Sequence, residues 1–273
     1  DHLAVLRRSG CRFMLLVPSL LQELLAAAEA NPLPALRHCL AMGEAISSAR
    51  LQQLSKQLGV RVHNGYGMSE CLTGIFNTHD DVAAPSGSCG RLRFGEARLL
   101  AADGSEADAG ELCVRNPTTT PCYTDAALNQ RKYRDRWFHT GDRLHRDNNG
   151  YYFFVGRVDA MCVINGRNVY PQEVEQVMLQ HPALRACVAV AITVAAGSER
   201  LALAVELQYG ATADANELLD FYLSRGALFA TPVWLAFYGE LPLLAGGKPD
   251  RQRCGMELQQ GYDQAQGLQR ARA

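Results

Sequence analysis

The opening ninety residues alternate strand and helix signals, and such an order leaves a chain little choice but to set its strands side by side in parallel, with helices crossing between them. Residues 13–17 form a short apolar run. Pro18 then opens a helix whose Leu20, Leu21, Leu24, Leu25 and Ala28 share one face, and Asn31-Pro32-Leu33-Pro34 ends it. Residues 36–42 read as the next strand, Gly43-Glu44-Ala45 as a turn, Ser47 or Ser48 as an N-cap, 49–58 as a helix closed by Gly59, and 60–63 as the third strand. The sequence predicts a βαβαβ layer.

From Gly90 the texture shifts to short strands between turn clusters. Ala102-Asp103-Gly104-Ser105 separates 97–100 from 111–115, and Asn148-Asn149-Gly150 joins 143–146 to 151–155 as a hairpin. This is the pattern of a small antiparallel, barrel-like layer. Beyond Arg157, 162–164 and 168–169 flank a turn at Asn165-Gly166-Arg167, and Pro171 opens a helix to 179. Strands are expected at 186–194, 201–207 and 233–238, and a helix at 215–223. The expected fold class is α/β: a first domain over 1–157, divided into an α/β part (1–89) and a β-rich part (90–157), then a small α+β domain over 158–273. The Gln-rich tail after Gly261 reads as frayed or as a loosely attached helix.

Composition narrows the partners. Lys and Arg (27) nearly cancel Asp and Glu (28), so no strong field draws the chain to nucleic acid or to an anionic membrane, and a small-molecule ligand is expected. The nine cysteines lack CxxC spacing, and Cys39, Cys113, Cys162 and Cys187 sit in apolar runs, which reads as buried thiols in a reducing, cytoplasmic compartment. The longest apolar stretch, 13–28, is broken by Pro18, Gln22 and Glu23 and is not expected to span a bilayer. A chain beginning at Asp1 is expected to have lost its natural start.

Four short motifs carry chemistry. In Gly65-Tyr66-Gly67-Met68-Ser69-Glu70, placed where the third strand should end, the glycines permit close backbone approach. Tyr66 offers a stacking face, Ser69 a hydroxyl for phosphate and Glu70 a carboxylate for magnesium; the plain alternative is a glycine turn with a surface Ser-Glu pair. Asp142, after strand-like 137–139 and a Thr-Gly turn, can accept from the vicinal hydroxyls of a ribose or merely cap the turn. Arg157 and Asp159 straddle the expected domain boundary, as a nucleotide-reaching fork and a hinge or as a surface ion pair. Lys248, after Gly246-Gly247, can be delivered to a developing negative charge or stay solvated. His79-Asp80-Asp81 reads as a polar loop, and Glu173 with Glu175 as first-turn carboxylates explained by packing and a helix start.

In this order the motifs resemble those of the adenylate-forming (AMP-binding) superfamily of acyl-CoA synthetases, nonribosomal-peptide adenylation domains and luciferases. The resemblance is most specific in His139-Thr140-Gly141-Asp142, Gly156-Arg157-Val158-Asp159 and Gly166-Arg167-Asn168-Val169-Tyr170-Pro171-Gln172-Glu173-Val174-Glu175, and Gly43-Glu44-Ala45, Gly110-Glu111-Leu112 and Lys248 extend it over nearly the whole chain. It implies ATP-dependent carboxylate activation through an acyl-adenylate, followed by thioester formation with CoA. By resemblance, Gly43, Glu44 and Ala45 line the adenine, Tyr66 and Gly67 lie against the adenylate, Ser69 meets its phosphate and Glu70 its Mg2+. Asp142 then holds the ribose and Arg157 supports the nucleotide. Asp159 is the implied hinge of a mobile C-terminal lid, Lys248 the adenylation lysine, and Gly166 the point of approach for pantetheine. The implied cofactors are ATP/AMP, Mg2+ and CoA, or the phosphopantetheine of an acyl carrier protein, with a small carboxylic acid as substrate.

The chain also departs from the pattern. The family's Ser/Thr/Gly-rich phosphate loop belongs ahead of the Gly65 motif, and this chain begins after its place, so the sequence is expected to lack the N-terminal portion and to be inactive alone. Cys122 stands where a Gly-Tyr pair is usual, Ala160 where a second Asp follows the hinge, and Leu243-Leu244-Ala245 replaces a Pro/Thr-rich approach to the final lysine. Two other readings are an adenylation protein that loads a carrier thiol and an AMP-binding module without catalytic activity.

Overall fold

The computed structural model describes residues 2–25, 32–44, 46, 48–71, 75–79, 81–194, 197–245 and 247–272. They fall into two compact units, Asp1–Val158 and Asp159–Ala273. No helix among the described residues is long and apolar enough to cross a membrane.

The first unit opens with α1 (His2–Ser9), β1 (Phe13–Leu16), α2 (Pro18–Leu25), β2 (His38–Met42), α3 (Ser48–Leu58) and β3 (Val62–Tyr66). The three strands pair in parallel, as the alternation requires, with Phe13 opposite His38 and Met42 opposite Gly65. Leu21 and Leu25 of α2 and Leu54 and Leu58 of α3 are buried with Met14, Cys39, Ala41 and Val62. Each such leucine contributes about 1.5–3 kcal/mol by leaving water. The expected apolar face of α2 is narrower than its leucines suggest, because Leu20 is 46% exposed; Ala28 lies outside the described residues.

The third strand starts and ends later than the sequence indicates, so Gly65 and Tyr66 belong to it. Gly65 sits in a tight place there: a Cβ would lie 3.1 Å from Leu40 Cδ1 and 3.3 Å from Phe76 O, so these neighbours would have to give by a few tenths of an ångström. Phe76 opens β4 (Phe76–Asn77), which runs antiparallel to β3 and is followed on the sheet edge by β5 (Arg91–Leu92).

A second sheet follows, built from β6 (Glu96–Leu100), β7 (Ala109–Arg115), β8 (Tyr133–Arg134), β9 (Trp137–Arg146) and β10 (Tyr152–Arg157), with α4 (Ala126–Lys132) just ahead of β8. Its order is β10-β9-β7-β6, β8 pairs with β9, and every pairing is antiparallel. Phe76, Leu112, Val114, Phe138, Leu144 and Tyr152 join the two sheets in one core. The Thr-Gly turn expected before Asp142 is a bulge inside the continuous strand β9. Glu111 pairs with Arg143 and Cys113 with His139, so Leu112 alone faces Thr140, Gly141 and Asp142. Gly141 accommodates the bulge at φ +77°, where a Cβ would lie 2.7 Å from Lys132 Nζ.

In the second unit, β11 (Cys162–Ile164) and β12 (Arg167–Val169) form a hairpin closed by Asn165 and Gly166, both at positive φ, as a tight two-residue turn demands. Then come α5 (Pro171–Met178), β13 (Leu184–Thr193), β14 (Glu199–Leu207), α6 (Ala215–Leu223), β15 (Trp234–Tyr238) and α7 (Arg251–Arg272). β14 is central, antiparallel to β13 and parallel to β15. One side of this sheet packs Leu203 and Val205 against Val174, Met178, Leu218 and Tyr222; the other packs Val188, Ala202 and Ala204 against Cys254 and Leu258 of α7.

Two features of this unit extend the sequence reading. The polar tail after Gly261 continues a helix that already begins at Arg251, anchored where Cys254 and Leu258 are buried and Tyr262 meets Trp234 edge-on. Of the pair Glu173 and Glu175, Glu173 lies in the first turn of α5, whereas Glu175 lies beyond it and is packed in. It is 3% exposed, its two oxygens each take one guanidinium nitrogen of Arg251 at 2.6 Å, and Oε1 also accepts from Ala189 N at 2.7 Å. That clamp fixes the start of α7 to α5 and β13.

Candidate functional site

The carboxyl ends of β2 and β3 are neighbours, since Met42 pairs with Gly65, and this edge carries both Gly43 and the Tyr66 motif. Gly43 is exposed at φ +91°, Glu44 is half-buried, and Ala45 lies outside the described residues. Gly67 is half-buried. Ser69 is exposed at the start of the 3₁₀ turn Ser69–Cys71.

Tyr66 closes β3 with its ring buried against Phe76 and its hydroxyl aimed at the β9 bulge. There it donates to Asp142 Oδ2 at 2.6 Å, while Arg157, the last residue of β10, donates from Nη1 to Asp142 Oδ1 at 2.9 Å. Residues 76 positions apart thus meet in one hydrogen-bonded group. Burial, then the charge of Asp142 and the bond to it, hold the Tyr66 hydroxyl well above its ordinary pKa, so it remains a donor at neutral pH. Both Asp142 oxygens are thus engaged by protein donors. Each carboxylate oxygen still has a second lone pair with which to receive a ligand hydroxyl.

The bulge that aims Asp142 is held from three sides. Thr140 Oγ1 donates to Leu112 O at 2.8 Å and accepts from Asp142 N at 3.0 Å, while Lys132 Nζ reaches Thr140 O at 3.1 Å. Glu111 Oε1 accepts from Gly141 N at 3.0 Å, and its Oε2 from His139 Nδ1 at 3.0 Å. Burial raises the Glu111 carboxyl, but the His139 hydrogen bond and charge, the Gly141 N–H and Lys132 together bring it below the usual range, so it is anionic at neutral pH. The preceding Gly110 is steric: a Cβ there would lie 2.1 Å from Leu100 O.

Glu70 is half-buried, and its Oε1 accepts from the Tyr123 hydroxyl at 2.7 Å. Burial, together with that bond, raises the Tyr123 hydroxyl pKa. Nothing in the sequence singled out Tyr123, because its loop and Glu70 are joined only by the folded chain. A carboxylate with one oxygen so engaged fits a hard cation such as Mg2+, which keeps several waters and takes one or two protein oxygens.

Asp159, Gly166 and Lys248 lie in the second unit. Asp159 is exposed in the turn Val158–Ala160, and Gly166 is exposed at the tip of the β11–β12 hairpin. Lys248 is exposed on a tight loop in which Leu243 bridges Pro249 and Leu244 N donates to Lys248 O at 2.8 Å; Gly246 lies outside the described residues.

The profile of the AMP-binding enzyme family matches residues 1–124. The chain is 29% identical to a medium/long-chain fatty-acid–CoA ligase of Mycobacterium tuberculosis, over 98% of this chain and 50% of that protein. It is 27% identical to a sulfoacetate–CoA ligase of Cupriavidus necator, over 89% of this chain and 49% of the relative. The chain therefore spans about half the length of the curated relatives it matches. Among solved structures, an anthranilate CoA ligase with bound anthranoyl-AMP superposes with a TM-score of 0.87 at 24% identity, covering 96% of this chain and 52% of that one, which establishes the fold. An amide bond synthetase of Marinactinospora thermotolerans superposes at 0.84 with 25% identity, covering 93% and 53%.

Proposed function

We propose, from this chain's general membership in the AMP-binding, acyl-CoA-ligase superfamily, that it supplies the nucleotide-holding body and the C-terminal unit of an ATP-dependent acyl- or aryl-CoA ligase. The observation that carries the reading is the convergence of Tyr66, Asp142 and Arg157 at the carboxyl edge of the parallel strands, the edge at which open α/β folds receive ligands.

In this reading Asp142 takes the ribose hydroxyls on its remaining lone pairs, kept in place by the Tyr66 hydroxyl and the Arg157 guanidinium. Gly43, Glu44, Ala45 and Gly67 border the adenine, and Ser69 meets the α-phosphate. Glu70, steadied by Tyr123, holds Mg2+, which when bound neutralises phosphate charge. Lys248 stabilises the charge that develops as the carboxylate displaces pyrophosphate. The second unit turns at Asp159, and the Gly166 hairpin then guides the pantetheine thiol of CoA. The phosphate loop is assigned to sequence outside these 273 residues.

The isolated chain is expected to bind AMP weakly, with Asp142→Asn reducing that affinity by at least about tenfold, the loss of one charge-assisted hydrogen bond. Unchanged AMP affinity in Asp142→Asn overturns the site. Carboxylate-dependent pyrophosphate release should require the longer protein, and robust release from this chain alone refutes the division of labour. In the longer protein, Lys248→Ala should abolish adenylation and spare CoA attack on preformed acyl-adenylate. Thioesterification of a carrier protein but not of CoA replaces the acceptor assigned here.

A further inference from the structure

Behind the Asp142 bulge three metal-ligating side chains face one another. Glu111 and Cys113 leave the same face of β7, and His139 leaves β9 directly opposite Cys113. His139 Nδ1 lies 3.0 Å from Glu111 Oε2 and 3.3 Å from Cys113 Sγ, and the three atoms all fall within 4.8 Å of one another. Both contacts end on one ring nitrogen, so the trio is not a relay that passes a proton from a thiol at one nitrogen to a carboxylate at the other. Cys113 is moreover fully buried, which keeps its sulfur from acting as a nucleophile on a substrate.

Sulfur, nitrogen and oxygen instead converge on a common point, a donor set suited to a borderline-soft divalent ion. Tetrahedral zinc would put the N–O edge at about 3.4 Å and the S–N edge at about 3.6 Å from the usual bond lengths. The N–O and S–N separations would each have to open by a few tenths of an ångström. Glu111 anchors Gly141 through Oε1, so Oε2 can turn to an ion without releasing the bulge. Arg98 and Arg134 lie near the Cys113 sulfur and Lys132 near Glu111; they favour the anionic ligands while opposing the cation.

We propose that Glu111, Cys113 and His139 bind one zinc-class divalent ion that staples β7 to β9, with water completing its shell. This site does not depend on the ligase reading.

Cobalt(II) titrated anaerobically into the whole chain tests this, in a Cys11→Ser, Cys122→Ser, His38→Ala background. These changes remove the two accessible thiols and the His38–His79 pair, whose facing nitrogens lie 2.9 Å apart. One equivalent should produce a thiolate-to-cobalt charge-transfer band, and zinc should bleach it and raise Tm. Cys113→Ser should lose the band, and Glu111→Gln, which keeps an oxygen for Gly141, should weaken zinc binding by at least about tenfold, since even outer-shell losses reach that size. Absence of the band in the background protein, its persistence in Cys113→Ser, or unchanged zinc affinity in Glu111→Gln overturns the proposal.

Discussion

Replacing Arg251 with Met should destabilise the second unit far more than neutralising its partner, Glu175→Gln. The pair is bidentate at 2.6 Å but unequally buried, with side-chain exposures of 39% for Arg251 and 5% for Glu175. Arg251→Met leaves a buried carboxylate with Ala189 N as its remaining described donor, a change that costs about 3–5 kcal/mol. Glu175→Gln keeps an oxygen for Ala189 N and leaves a guanidinium that can turn to water, for about 1–3 kcal/mol. The double variant should fall near Glu175→Gln, because the stranded charge is gone. At about 4 °C per kcal/mol for a unit of this size, Arg251→Met lowers its midpoint by roughly 12–20 °C. Thermal unfolding followed by Trp234 fluorescence measures this, with Trp137→Phe removing the chain's other tryptophan. Equal losses in the two single variants, or a double variant worse than Arg251→Met, would refute the argument from unequal burial.

Tyr66→Phe deletes a buried donor to Asp142 and should cost about 1–3 kcal/mol in urea unfolding, together with weaker AMP binding if the ribose contact is as assigned; a loss below 0.5 kcal/mol (roughly the surface-substitution range) contradicts the network. Ellman's reagent at pH 8 should label Cys122 rapidly and Cys11 more slowly, with Cys39, Cys71, Cys89, Cys113, Cys162, Cys187 and Cys254 reacting only on unfolding. Burial, reinforced by Cys11, pushes the Cys39 thiol up to about 12, above an unfolded value of about 8.5. Its contribution to stability is therefore complete below the unfolded value and is lost as pH climbs towards the folded one. Cys39→Ala should flatten the alkaline decline in urea midpoint, and parallel declines in the two proteins would exclude Cys39 as a source.

Local patterning carried much of this architecture. The parallel order of β1, β2 and β3 was legible because their apolar runs are separated by amphipathic helices, and α6 because Leu218 and Tyr222 recur at helical spacing beside the cap Asp214. The helix α7 was obscured by Gly255 and Gly261 and by its glutamines, although Cys254, Leu258 and Tyr262 recur every fourth residue on the side that packs. Tyr66, Asp142 and Arg157 were each visible as candidates. Their mutual bonds were not, since pairings across 76 residues follow from strand register and not from neighbouring side chains. The Arg251 partner of Glu175 was hidden for the same reason: it lies 76 residues further along the chain.

The bulge in β9 acts as a phase-keeping device. Between the pairs Glu111–Arg143 and Cys113–His139 one strand advances two residues and the other four. The surplus is even, so the strand leaves the bulge with the same faces inward as when it entered, and Phe138 and Leu144 reach one core from either side. Removing a single residue between them would act like a frameshift, turning Leu144 outward and His145 inward through the rest of the strand. Removing two would restore the core, at the expense of the loop that presents Asp142. This part of the chain can therefore change length only in pairs.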